Sequence, residues 1–134
     1  MKYLDLVEKF ESCELDIKSW THESHLIVAL YYVINYKEQA FEKIKQKIIK
    51  FNESKGTINS DKSGYHETLT IFWIKNIELF LNKFKTKEFT VEVIDKLIKS
   101  EYIIKGYPFK FYTKDKLMSV EARKSWIEPD LKEL

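Results

Sequence analysis

Cysteine, proline and glycine are all scarce in this chain of 134 residues. It has one cysteine, two prolines and three glycines. The single cysteine, Cys13, excludes an internal disulfide and a metal site built from several thiolates. So few prolines and glycines are untypical of an all-β protein, which needs many tight turns, and of a disordered chain. The glycines also lie far apart, which excludes a glycine-rich phosphate-binding loop.

The chain also lacks an excess of one charge and a long apolar run. Lys and Arg number 23 and Asp and Glu 21, for a formal net charge of +2, which gives no whole-chain reason to expect nucleic acid or an anionic membrane as a partner. The longest apolar stretch, residues 26–34, is about half the length of a membrane span. Asp5 and Glu8 interrupt the start, where a signal peptide has an unbroken apolar run. We therefore expect a cytoplasmic protein.

Apolar and aromatic residues, by contrast, are plentiful. Hydrophobic residues make up 44% of the chain and aromatic residues 15%, enough to build a core. A chain of this length fits one domain and is too short for two domains that each bury a substantial core, so we expect residues 1–134 to form a single domain.

The apolar side chains recur at helical spacing through almost the whole chain. The pattern predicts an all-α helix bundle of about five main helices plus short C-terminal helices. The main helices are expected over residues 2–12, 21–36, 41–51, 66–84 and 91–99. Residues 52–65, rich in Asn, Ser, Asp and Gly, predict the one clear loop. Thr113 and Ser119 are the expected caps of the short helices, and Pro129 is expected to end the last of them.

All three histidines fall in two short segments that begin predicted helices. His22 and His25 start the second helix, and His66 starts the fourth. At 100° per residue, His22 and His66 share the apolar faces of their helices, and His25 lies at the flank. If the second, third and fourth helices pack up, down and up, both starts meet at one end of the bundle. We therefore expect a shared polar site there.

A metal centre is the leading interpretation of this cluster. Histidines at i and i+3 share a helix face, and a third imidazole from a neighbouring helix can complete a three-nitrogen site for Zn²⁺ or Fe²⁺. The metal ligands are then His22, His25 and His66, and Glu67 is a fourth ligand, an orienting group or a general base. This interpretation predicts a metal-dependent enzyme that acts on a small molecule. The candidate substrate-binding residues are Thr21, Tyr65, Thr70, Trp73 and Arg123.

Other interpretations stay open. The same cluster suits a metal-free protein that binds an anionic small molecule, with the histidines as hydrogen-bond donors and Arg123 or Lys114 adding charge. It also suits a purely structural hydrogen-bond cluster, and an acidic residue such as Glu67 is common in the first turn of any helix. Nucleic acid is not expected as a partner, because the lysines of the third helix have the pattern of an ordinary solvated face.

Arg123 is the only arginine in the chain. A guanidinium can hold a carboxylate or a phosphate with two hydrogen bonds. Alternatively, it can lock the C-terminal tail by pairing with Asp130 or Glu121. The sequence slightly favours the structural lock and leaves both roles open.

Three elements of the chain resemble those of a family of small bacterial proteins that has no assigned activity. They are Trp-Thr-His-x-x-His-Leu at residues 20–26, Gly-Tyr-His-Glu-Thr-x-Thr at 64–70, and Ser-x-Glu-Ala-Arg at 119–123 followed by Pro-Asp-Leu. Thr113 departs from the serine of that family but keeps a hydroxyl. The resemblance implies a bacterial protein in which the histidine segments and the tail around Arg123 belong to one arrangement, and it supplies no chemistry.

Overall fold

The computed structural model describes residues 1–134 and contains no β-strand, which confirms the predicted all-α fold. Seven α-helices follow one another along the chain: α1 (Lys2–Glu11), α2 (His22–Tyr36), α3 (Ala40–Ser54), α4 (Glu67–Phe84), α5 (Val91–Ile98), α6 (Lys114–Leu117) and α7 (Val120–Lys124). Four short 3₁₀ turns lie between them: Ile17–Ser19, Lys37–Gln39, Glu101–Ile103 and Tyr107–Lys110.

Side chains cap most of these helices at their N-termini. The hydroxyls of Thr21, Thr90 and Ser119 each accept a hydrogen bond from the backbone N–H three residues later, at the starts of α2, α5 and α7. His66 does the same for α4 through its ring Nδ1. Each cap satisfies a backbone donor that has no partner within its helix, and so fixes where the helix begins.

Two boundaries differ from those expected. α3 extends to Ser54, so the first three residues of the expected loop are helical, because Asn52 is buried and donates to Asn59 across the loop. α7 ends at Lys124, well before Pro129. The reason lies outside the helix: Thr68 of α4 donates to the Ser125 carbonyl and accepts from the Ile127 N–H, so the tail's backbone groups are satisfied without helix.

The core forms where α2, α3 and α4 pack on one another, with α1 covering α2 and α3. Residues 26–30 of α2 are all buried, so α2 is the central helix of the bundle. A second, smaller apolar cluster joins Phe72 of α4 to the segment after α5; its other members are Tyr107, Phe111, Tyr112 and Leu117. This cluster holds residues 101–117 beside the start of α4. No helix is both long and apolar enough to span a membrane.

Candidate functional site

A cavity of about 730 Å³ lies at the end of the bundle where α2 and α4 begin. Its walls are the N-terminal halves of α2 and α4, one face of α3 from Ile44 to Asn52, parts of the loop between α3 and α4, and residues of the segment 105–118. All three histidines line it, together with Thr21, Tyr65, Thr70 and Trp73. The structure thus brings the two histidine segments to one place. Glu67 and Arg123 are the predicted site residues that do not line the cavity.

The His22 ring links α2 to the segment beyond α5. Its Nε2 lies 3.2 Å from the backbone oxygen of Tyr102 and its ring packs 5.2 Å from that of Trp73, centre to centre. A carbonyl oxygen only accepts hydrogen bonds, so Nε2 carries the proton and Nδ1 is an acceptor. Burial lowers the pKa of His22, and the nearby Lys105 ammonium lowers it further against the effect of the Tyr102 bond. The ring is therefore neutral at neutral pH.

The His25 ring is held from two sides. Its Nδ1 lies 2.6 Å from the backbone oxygen of Thr21, and its ring stacks on Trp20 with the ring centres 3.7 Å apart. Trp20 in turn stacks on Phe10 at 4.5 Å. Burial lowers the pKa of His25 to about 4, although its bond to Thr21 opposes the shift. His25 is thus a neutral imidazole with its Nδ1 proton donated and its Nε2 available as an acceptor.

His66 differs from the other two because both of its ring nitrogens are already engaged. Nε2 lies 2.8 Å from the backbone oxygen of Leu117, to which it donates, and Nδ1 accepts from the Leu69 N–H at 3.2 Å. Its side chain is buried, and burial lowers its pKa. His66 caps α4 and fastens α6 to it. It has no nitrogen left for a metal or a ligand while these bonds hold.

Two imidazole nitrogens remain without a hydrogen-bond partner, Nδ1 of His22 and Nε2 of His25. Every buried side-chain nitrogen and oxygen has a partner, so these two atoms are accessible, and both residues line the cavity. No group of three or more His, Cys, Asp and Glu side chains in the structure could hold a metal ion. The cavity therefore offers two neutral acceptors, and the predicted three-histidine ligand set is not assembled.

Glu67 is committed to a contact outside the cavity. One carboxylate oxygen accepts from the Tyr65 hydroxyl at 2.9 Å and lies 3.0 Å from Nζ of Lys45. Burial raises the pKa of the Tyr65 phenol, and so does the Glu67 carboxylate. In this arrangement Glu67 holds the Tyr65 ring in the cavity wall, and Glu67 itself does not line the cavity.

Arg123 holds the tail against the loop before α4. Its Nη1 donates to the backbone oxygens of Gly64 at 2.9 Å and Tyr65 at 3.4 Å. Neither expected carboxylate partner pairs with it, and Asp130 instead accepts from the backbone N–H and hydroxyl of Thr113. The guanidinium therefore acts as a lock, through carbonyls instead of carboxylates, and positions the backbone on which Tyr65 and His66 stand.

The structure adds lining residues that the sequence did not single out. Asn52, Thr57 and Lys105 are the polar ones, and Lys105 is the one charged residue in the lining. Lys105 lies between two 3₁₀ turns in an irregular segment, and no spacing distinguishes it from the other lysines. Asn52 fell in the expected loop, so only the true end of α3 reveals its place in the wall.

Comparisons with known proteins were negative throughout. No protein-family model matches the chain, and no curated protein or solved structure matches it. The family resemblance of the histidine segments and the tail stays a prediction.

Proposed function

We propose that this protein binds a small organic molecule in the cavity without a metal, and that His22 and His25 accept hydrogen bonds from it. The observation that carries the proposal is the state of these two rings. Each donates its N–H to a backbone carbonyl and keeps one accessible nitrogen without a partner. A ligand with a hydroxyl, amide or amine group can donate a hydrogen bond to these unpaired nitrogens.

The cavity suits a molecule with an apolar body. Its volume of about 730 Å³ falls within the range of small-molecule sites, which are mostly apolar with a few oriented polar groups. Ile44, Ile48, Leu69 and Ile74 supply aliphatic walls, and Trp73 supplies an aromatic one. Trp20 stacks on both Phe10 and His25, so this ring positions His25 in the cavity wall.

The geometry supports a different role for the histidines from that expected for an anion site. Donation to an anion requires a free N–H, and the N–H groups of His22, His25 and His66 are all directed at backbone oxygens. Burial also opposes the imidazolium form of each ring. Hydrogen-bond acceptance is the role that both the tautomers and the charges favour.

A pair of probes tests the proposal directly. We expect 2-naphthol, which has a hydroxyl donor, to bind about fivefold more tightly than 2-methoxynaphthalene, because one hydrogen bond contributes about 1 kcal/mol. Isothermal titration calorimetry measures both affinities. In the His25→Phe variant, which keeps a ring on Trp20 and leaves His22 as the one imidazole acceptor, the ratio between the probes should fall. The proposal is wrong if neither probe binds the wild-type protein, or if both bind equally.

A metal-dependent enzyme is the second candidate. The i, i+3 pair of accessible nitrogens on His22 and His25 favours it, since such a pair suits Zn²⁺ or Fe²⁺, and the metal would polarise a bound substrate or water. His66 can join only by giving up its bonds to Leu69 and Leu117. The bacterial origin and cytoplasmic location expected from the sequence likewise remain proposals.

Elemental analysis of protein purified without chelator tests this second candidate. It requires about one zinc or iron per chain, and loss of that metal in the His25→Phe variant. If the wild-type protein holds no stoichiometric transition metal, even after incubation with Zn²⁺ and dialysis, the metal-dependent enzyme is excluded and the metal-free protein stands.

A further inference from the structure

We propose that the ligand of this cavity is an organic carboxylate, with its anionic group bound by Lys105 at the cavity mouth. This inference rests on the proposed function, in which His22 and His25 accept hydrogen bonds from the same molecule. It adds the chemical class of the ligand: an apolar body with a donor at one end and a carboxylate at the other.

The charge of the lining is the first observation. Lys105 is the one charged residue among those lining the cavity, and no Asp or Glu is among them. The three ion pairs of the molecule join Lys9 to Asp5, Lys45 to Glu67, and Lys110 to Glu101. Lys105 therefore has no carboxylate partner within the protein, and a ligand carboxylate would supply one.

The second observation is how Lys105 is positioned. The His22 ring donates to the Tyr102 carbonyl and so ties the segment before Lys105 to α2. The charge of Lys105 is close enough to lower the pKa of His22. Lys105, His22 and His25 line the same cavity, so a single small molecule bound there can contact the ammonium and an imidazole acceptor.

Two apolar residues of the lining are exposed to solvent. Phe109 and Met118 line the cavity, yet 41% and 45% of their surfaces are exposed. Exposed large apolar side chains that line a cavity gain from being covered by an apolar ligand body. Exposed apolar lining residues and one exposed ammonium fit an amphiphilic molecule whose carboxylate stays near solvent.

A carboxylate suits this site better than a phosphate does. Phosphate sites in proteins commonly use arginine or several donors, because the group is close to doubly charged. This cavity has one ammonium, two neutral imidazole acceptors, and no arginine, since Arg123 is engaged with Gly64 and Tyr65. One cation balances one negative charge.

The test adds a carboxylate to the probe already chosen. We expect 6-hydroxy-2-naphthoate to bind about fivefold more tightly than 2-naphthol at low salt, and this gain to shrink as salt is added. In Lys105→Met the gain should disappear, whereas it should persist in Lys110→Met, which removes a neighbouring lysine outside the cavity. Both lysines are exposed, so both variants should fold.

The outcomes separate this inference from the proposed function. If 2-naphthol binds but the carboxylate gives no gain, or if Lys105→Met keeps the gain, the carboxylate class is wrong while the binding function stands. If 2-naphthyl phosphate binds more tightly than 6-hydroxy-2-naphthoate, the ligand class is a phosphate and this inference is overturned. If neither naphthol nor naphthoate binds, both proposals fail.

Discussion

Replacing Gly64 with alanine is expected to lower the free energy of unfolding by about 3 kcal/mol, through backbone strain and steric crowding together. Gly64 has φ of +76°, a left-handed conformation that costs other residues about 1–2 kcal/mol. A Cβ there would also lie 2.6 Å from the Ile58 carbonyl oxygen and 2.6 Å from Oδ1 of Asn59. Neither atom can move freely, because the first belongs to the backbone and the second accepts from the Tyr65 N–H and from Asn52.

Gly56 provides the matched control for this substitution. Its φ is +78°, almost the same, but a Cβ there meets nothing within 4 Å. Gly56→Ala should therefore cost only the conformational part, about 1–2 kcal/mol. Urea denaturation of the two variants measures the difference. Equal losses for Gly56→Ala and Gly64→Ala would mean that crowding at Gly64 contributes nothing.

The Gly64 variant should also affect the cavity. The Gly64 carbonyl is held by Arg123, and the next two residues place Tyr65 and His66 in the cavity wall. A backbone shift at Gly64 therefore displaces both side chains. We expect Gly64→Ala to weaken 2-naphthol binding and Gly56→Ala to leave it unchanged.

Local sequence signals were sufficient for the helices and for most of their starts. The hydroxyls of Thr21, Thr90 and Ser119 form the caps because a short oxygen-bearing side chain reaches the third N–H of a helix wherever it stands at the N-cap. Helical periodicity likewise predicted that His22 and His66 lie on the apolar faces of their helices. These features depend on neighbours within one or two turns, so a single sequence contains them.

The chemical roles of the histidines depend on distant residues and could not be read from the sequence. The carbonyl that fixes the His22 tautomer belongs to Tyr102, 80 residues away, and the one that occupies His66 belongs to Leu117, 51 residues away. Any residue has a carbonyl, so no side-chain pattern marks which one will lie there. The expected three-nitrogen site required free nitrogens on all three rings, and tertiary packing engages both nitrogens of His66.

The contacts of the C-terminal tail and of the irregular segment before it could not be predicted from the sequence for a related reason. Asp130 binds the backbone and hydroxyl of Thr113, and Arg123 binds two carbonyls. From the sequence alone, pairing of opposite charges would be expected to join Arg123 to Asp130. Lys105 differs from other lysines only in where its segment is packed.

Acidification from pH 7 to about pH 4 is expected to destabilise the protein, with up to about 3 kcal/mol of the loss coming from His25 alone. Burial lowers the pKa of His25 in the folded state from its ordinary value of 6.5 to about 4. Between these two values the unfolded chain binds a proton that the folded protein does not, so stability rises with pH across this window. The stability is fully present above about pH 6.5 and is lost as the pH falls towards 4. His22 and His66 act in the same direction, because burial lowers their pKa values too.

The His25→Phe variant isolates this contribution from the carboxylates that titrate near the lower end of the window. Phenylalanine keeps an aromatic ring on Trp20 and has no proton to gain, and the Thr21 carbonyl still accepts from the backbone N–H of residue 25. Urea denaturation at intervals between pH 7 and 4.5 should therefore give a shallower loss of stability for His25→Phe than for the wild-type protein. If the two curves run parallel, His25 titrates normally in the folded protein. In that case the ring is not held neutral as an acceptor, and the imidazolium would be free to bind an anion directly.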